Sequence, residues 1–206
     1  MIEPLEMPLL IGLKKHAITV LAVALWVPLV GYGMSVLLRY SNTPGQLARP
    51  PVSWPASAPV QPVSGRATLI IFAHPNCPCS RSSIGELAII MARAREKLDA
   101  HVFFYLPANE AITWVRTDLW DSAGAIPGVH VIEDRGGAFA RRFGAHTSGQ
   151  TLLYDPAGRL VFNGGITASR GHSGDNNGRH AIIELVQGQT LVENVTPVFG
   201  CSLKGE

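Results

Sequence analysis

Read for apolar and polar positions, the chain divides into three stretches. From Ala17 to Leu38 it reads "AITVLAVALWVPLVGYGMSVLL", 22 residues without a charge. That is long enough to cross a hydrocarbon core of about 30 Å as a helix. Residues 41–67 contain six prolines among small and polar residues and show no period. Beyond them the apolar positions become regular. "TLIIFA" (68–73) is a continuous apolar run that suits a strand buried on both faces. From Ser80 to Leu98 the apolar residues Ile84, Leu87, Ala88, Met91 and Ala94 recur at helical spacing. "HVFFYLP" (101–107) predicts a second strand, 111–123 a helix, "VHVIED" a short strand and "GGAFARRFGA" a short helix. "TLLYDPAGRLVFNGG" predicts two strands joined by a turn at Asp155-Pro156-Ala157-Gly158, and "GRHAIIELVQG" a last helix. This order, β-α-β-α, an insert, then β-β-α, predicts an α/β domain with a mixed sheet flanked by helices, preceded by one transmembrane helix.

The resulting organisation is an N-terminal segment 1–16, a transmembrane helix 17–38, a Pro-rich linker 39–67, a folded domain 68–190 and a tail 191–206 that holds Cys201. The linker is expected to be semi-extended and to bury little. A cleaved signal peptide is the rival reading of 17–38. The run exceeds a usual signal core, however, and no A-x-A site follows it. Lys14 and Lys15 abut the span before it and Arg39 after it, which puts the N-terminus in the cytoplasm and the folded part in a periplasm. The expected location is therefore a bacterial inner membrane, crossed once, with the domain on the oxidising side, where paired cysteines can form disulfides.

Charge adds little. The formal net charge is +2, the 17 Lys and Arg are scattered, and no RNP-type, zinc-finger or helix-turn-helix pattern occurs, so nucleic acid is not an expected partner.

The chemistry concentrates in "FAHPNCPCSR" (Phe72–Arg81). Two of three cysteines, Cys77 and Cys79, stand one residue apart between the first strand and its helix. A helix N-terminus stabilises a thiolate through unpaired N–H groups and the helix dipole. His74 stands three residues earlier and can shift that thiol or supply a nitrogen. A Cys-x-Cys disulfide meets the distance requirement but strains its dihedral, so such a pair suits an oxidant or isomerase. Three alternatives stay open: buried structural thiols; a zinc staple, for which only one short pair exists; and a Cu(I) site of Cys77, Cys79 and His74, which two or three soft ligands satisfy. Copper is thus an alternative cofactor, the main reading needing none. Cys201, in "TPVFGCSL", is either a third thiol returning to this turn or an unpaired tail cysteine.

These stretches resemble the thioredoxin fold and, more closely, the membrane-anchored TlpA/ResA-type thiol oxidoreductases. "FAHPNC" keeps the step from strand end to attacking cysteine in that family's F-W-A-x-x-C-x-x-C, which puts Cys77 in the attacking position. "DRGGAFARRFGA" (134–145) and "GQTLLYDPAGRL" (149–160) are similar to two later family stretches. "CPCSR" and "GGIT-x-SRGH" are similar to RedB-like bacterial proteins. The resemblance implies a thiol–disulfide oxidoreductase that acts on a partner protein's thiol or disulfide, with Cys77 attacking and Cys79 resolving. It departs from the family twice. Ser80 stands where the second cysteine is expected, and Gly149 replaces a proline that the family holds in cis beside the active site. The peroxiredoxin pattern P-x-x-x-[TS]-x-x-C is absent, which disfavours a peroxidase.

The polar loop 164–180 follows the last strand, and in a thioredoxin-like fold it borders the active-site turn. Arg170 and His172 are therefore candidates to stabilise a thiolate or bind substrate; the bland alternative is a solvated loop in which Asp175 or Asn176 caps the last helix. His101, His130 and His146 show no shared spacing and are assigned to core or surface. Trp114 and Trp120 are expected to pack the second helix.

Overall fold

The computed structural model describes residues 7–58, 60–191 and 194–204. They fall into two compact units, one ending at Tyr40 and one beginning at Ser41. The first unit is helical. Helix α1 (Met7–Asn42) contains the apolar run and continues through Pro28. Its stretch His16–Asn42 is long and apolar enough to cross a membrane and none of it is buried, in keeping with a single-pass anchor.

The second unit is built on five strands in the order β3-β2-β1-β4-β5. Strands β1 (Ala67–Ala73), β2 (Leu98–Leu106) and β3 (Val129–Arg135) run parallel. Strands β4 (Gln150–Tyr154) and β5 (Leu160–Gly164) form a hairpin in which β4 pairs antiparallel with β1. The continuous apolar run of β1 has its reason here, since the central strand is buried along its whole length. Helix α2 (Pro78–Ala94) begins at Pro78, whose fixed φ and missing N–H suit a first helical turn. It ends four residues before the predicted boundary, and a 3₁₀ turn (Arg95–Lys97) leads into β2. The helix predicted over 111–123 is divided into a 3₁₀ turn (Ile112–Trp114) and helix α3 (Asp118–Gly124). Helices α4 (Ala138–Arg142) and α5 (Asn177–Val186) complete the unit. Asn176 caps α5 by accepting the Arg179 N–H (2.8 Å), as its place in the loop predicted.

Each sheet face has its own core. On one, Leu69, Ile71, Val102 and Phe104 meet Leu87 and Ile90 of α2 and Ile182 of α5. On the other, Ile70, Phe72, Phe103 and Tyr154 meet Phe143. The expectation of a spacer over 39–67 is corrected on this second face. Ala48 and Ala58 are buried in it, and the Trp54 ring lies 5.1 Å from that of Tyr154. Val52 accepts the Leu160 N–H (2.9 Å), and Pro51 the Tyr154 hydroxyl (2.9 Å). Proline lets the segment run extended, and its few free backbone groups are taken up one by one by the domain. The tail is corrected likewise: Val198, Phe199 and Leu203 are buried, so the folded unit runs from 41 to at least 204.

Candidate active site: three thiols at one turn

Cys77 and Cys79 stand where β1 gives way to α2, and both are buried. The tail brings the third cysteine to them. Its carbonyls and N–H groups pair antiparallel with the chain before β4: Ser148 N–H donates to Cys201 O (2.8 Å), Leu203 N–H donates to His146 O (2.8 Å), and Thr147 faces Ser202. The Sγ atoms of Cys77 and Cys201 are 3.0 Å apart. Arg170 lies over the tail, its guanidinium donating to Gly200 O, and its N–H donates to Ser41 O (3.0 Å).

Burial pushes the Cys77 thiol up. The Cys201 thiol and N–H and the N–H and hydroxyl of Ser80 outweigh it, and the net shift is downward. Cys79 moves the other way: burial raises it, the neighbouring Cys77 charge raises it further, and Arg170 and the Gly171 N–H only partly offset this. Burial and the hydrogen bond to Cys77 push Cys201 up to about 12. Loss of a proton is therefore eased at Cys77 and opposed at Cys79 and Cys201, which makes Cys77 the favoured nucleophile of the cluster.

Ser80, at the position expected to hold a cysteine, locks the turn. Its hydroxyl donates to His74 O (3.2 Å) and lies 2.6 Å from the Ser148 hydroxyl, whose oxygen accepts the His74 N–H (2.8 Å). Gly149 has φ +90° and donates its N–H to Phe72 O (2.7 Å). Proline fits neither fact, since its φ is near −65° and it has no N–H, so the loop here is shaped by different means. Burial lowers His74; its Nδ1 accepts the Asn76 N–H (3.2 Å), and its ring lies between Tyr105 and Trp114. His172 is exposed, and its imidazole has no hydrogen bond or ion pair to a described residue. Of the residues singled out by sequence, Cys77, Cys79, Cys201 and Arg170 are thus brought together, His74 and Gly149 line the turn, and His172 stands apart. Ser148 was not singled out, Ser80 was noted only as a departure from the cysteine motif, and Trp114 was assigned to helix packing. Trp120 packs on Phe104 as expected, while Trp114 faces His74 instead. His101 is buried against Asp99 (2.7 Å), in keeping with a core role. Among the described residues, no group of three or more His, Cys, Asp and Glu has the arrangement of a metal site.

Beneath the site, Glu86 of α2 is fully buried. It accepts the Gly174 N–H (2.8 Å) and pairs with Arg179 of α5, so the loop that carries Arg170 is tied to the helix that carries Cys77.

Three parallel strands, a terminal antiparallel hairpin and a cysteine at the β1–α2 turn decide the architecture. The fold is thioredoxin-like. No model of a known protein family matches the chain, and no curated protein is similar to it in sequence. Among solved structures, an uncharacterized conserved protein from Geobacillus kaustophilus is similar, with a TM-score of 0.58 and 20% identity over 80% of this chain and 93% of that one. A hypothetical protein from Sinorhizobium meliloti has a TM-score of 0.56 and 21% identity, covering 78% and 93% of the two chains. A secreted disulfide oxidoreductase of Mycobacterium tuberculosis has a TM-score of 0.44 and 12% identity, covering 61% and 84%.

Proposed function

We propose that the protein is a membrane-anchored thiol–disulfide oxidoreductase whose thioredoxin-like domain faces the periplasm and acts on a partner protein through the Cys77-Pro78-Cys79 turn. The observation that carries this reading is the Cys77 sulfur, placed at the start of α2 and set 3.0 Å from the Cys201 thiol. The Cys77 thiolate attacks one sulfur of a partner disulfide. That S–S bond breaks, a Cys77–partner disulfide forms, and the other partner sulfur leaves as a thiolate. A second thiol of the cluster then attacks the Cys77 sulfur and releases the partner fully reduced. Two electrons pass from the protein to the partner, and the protein becomes a disulfide. The same steps reversed oxidise a partner dithiol.

The two thiols and the imidazole at one turn are also soft ligands enough for a Cu(I) chaperone of Cys77, Cys79 and His74, and one set of variants separates the two. Cys77→Ser is expected to reduce exchange with a chromogenic disulfide to the uncatalysed rate. Iodoacetamide labelling of Cys77 is expected to persist below the ordinary thiol value of about 8.5, because a lowered pKa keeps the thiolate present as pH falls; Cys201 labelling rises only toward 12. No exchange, combined with tight Cu(I) binding that Cys77→Ser, Cys79→Ser and His74→Ala all weaken, would sink the oxidoreductase reading.

A further inference from the structure

The tail reaches Cys77 as a segment with one antiparallel bridge, Ser202 to Thr147, and makes backbone hydrogen bonds on both sides. Ser148 N–H and His146 O serve Cys201 and Leu203 on one side, and Gly45 N–H donates to Val198 O (2.8 Å) on the other. Leu203 is seated in the aromatic core. Gly200 passes so close that a Cβ there would lie 1.9 Å from Ser148 O. Backbone pairing of this kind reads little of the sequence beyond its close contacts, and an extended segment with a cysteine at the same register, a glycine before it and an apolar residue two beyond it satisfies it. The tail therefore presents a cysteine to Cys77 in the way a bound peptide would.

Resting on the oxidoreductase reading, we infer that the segment Phe199–Leu203 is a built-in occupant of the partner's docking strand. An extended cysteine-bearing segment of the partner displaces it. While the partner is bound Cys201 is absent, so Cys79, which cannot leave the turn, resolves the mixed disulfide. The tail then returns, and the Cys201 sulfur attacks Cys77. The Cys77–Cys79 bond breaks, the Cys77–Cys201 bond forms, and the Cys79 thiol is restored with no net transfer of electrons. Three cysteines thus have three successive roles: attack, release and storage.

Two measurements on the full chain test this. The first involves no exchange chemistry. Gly200→Ala forces the tail off Ser148, so alkylation of Cys201 should rise roughly tenfold, following the larger population of the open state. A synthetic peptide of residues 195–204 carrying Cys201→Ser should bind the Gly200→Ala protein and not the wild type. Equal binding to both, or to neither, overturns the shared docking strand. If Gly200→Ala does not fold, Leu203→Ser loosens the same strand from its buried end. The second uses the natural-sequence peptide as its mixed disulfide with thionitrobenzoate. Cys79→Ser should accumulate a Cys77–peptide adduct and Cys201→Ser should not. Clearance by Cys79→Ser at the wild-type rate overturns the order of steps. If neither wild type nor Gly200→Ala releases thionitrobenzoate faster than Cys77→Ser, the oxidoreductase reading fails, and the binding measurement still decides the docking strand.

Discussion

One face of the sheet is covered by α2, α3 and α5 and filled mostly with aliphatic side chains; the other is covered by five-residue α4, a proline-rich segment and the tail 194–204, and is richer in aromatic rings. On the first face each covering element has its own backbone hydrogen bonds and needs the sheet only for burial. On the second the cover has almost no internal bonds and borrows them from the sheet, as at Trp54 N–H to Gly158 O (2.7 Å) and Ala48 N–H to Gln150 Oε1 (2.8 Å). Regular structure is one way to satisfy a backbone against a core, and a chain that pairs group by group with the edge of a fold is another.

The largest expected effect follows from removing the irregular cover. A chain beginning at residue 67 leaves Tyr154, Phe143 and Gln150 open and is expected to aggregate or lack a cooperative melt, whereas one beginning at residue 41 is expected to fold. Near-ultraviolet circular dichroism of the two distinguishes them; a well-folded chain from 67 would make the proline-rich segment a mere spacer. Single substitutions sharpen the contrast. Leu87→Ala, in the fully buried aliphatic core, should cost about 3 kcal/mol. Trp54→Ala, half-buried on the aromatic side, should cost about 2 kcal/mol in urea unfolding. A Trp54 effect near zero would break the comparison. The smallest effect concerns the β4–β5 turn, on which Trp54 rests. Partial burial pushes Asp155 up, but the N–H groups of Arg159 and Ala157 and the Arg159 guanidinium outweigh it and hold the carboxyl below its usual value. A lowered folded pKa gives stability that is present above the unfolded pKa and is lost as pH falls through the folded one. Because the Arg159 guanidinium it pairs with is largely exposed and screened by solvent, this amounts to about a few tenths of a kcal/mol. Asp155→Asn should lower stability at neutral pH by that amount, leave it nearly unchanged in acid below the folded pKa, and so flatten the acid limb of the stability profile.

The same contrast explains what could be read in advance. The sheet and helices α2 and α5 were legible, because a strand buried on both faces leaves a continuous apolar run and a one-sided helix leaves a period of 3.6. The Cys77–Cys79 turn was legible because it combines two thiols, a proline and a strand-to-helix junction. Residues 41–66 and 194–204 were not, because a segment that borrows its hydrogen bonds leaves no period and its prolines read as a tether. Ser80 and Ser148 were silent for a related reason: a serine that locks a loop looks like a serine in solvent until its partner, 68 residues away, is placed beside it. The division at 115–117 arises in a segment whose apolar residues could equally have continued a helix.

The docked tail also decides where the protein can be handled. Glu206 follows Cys201 by only five residues, so a reporter or affinity domain fused there would load the strand that carries a thiol. The exposed turn at Val63–Arg66 is a better place. Gly65 has open space around it, and the turn is closed by a single bond from Arg66 N–H to Val63 O (3.1 Å). An alkaline phosphatase inserted at Gly65, on the far side of the anchor from Lys14 and Lys15, would report which side of the membrane receives the domain and leave the three cysteines undisturbed.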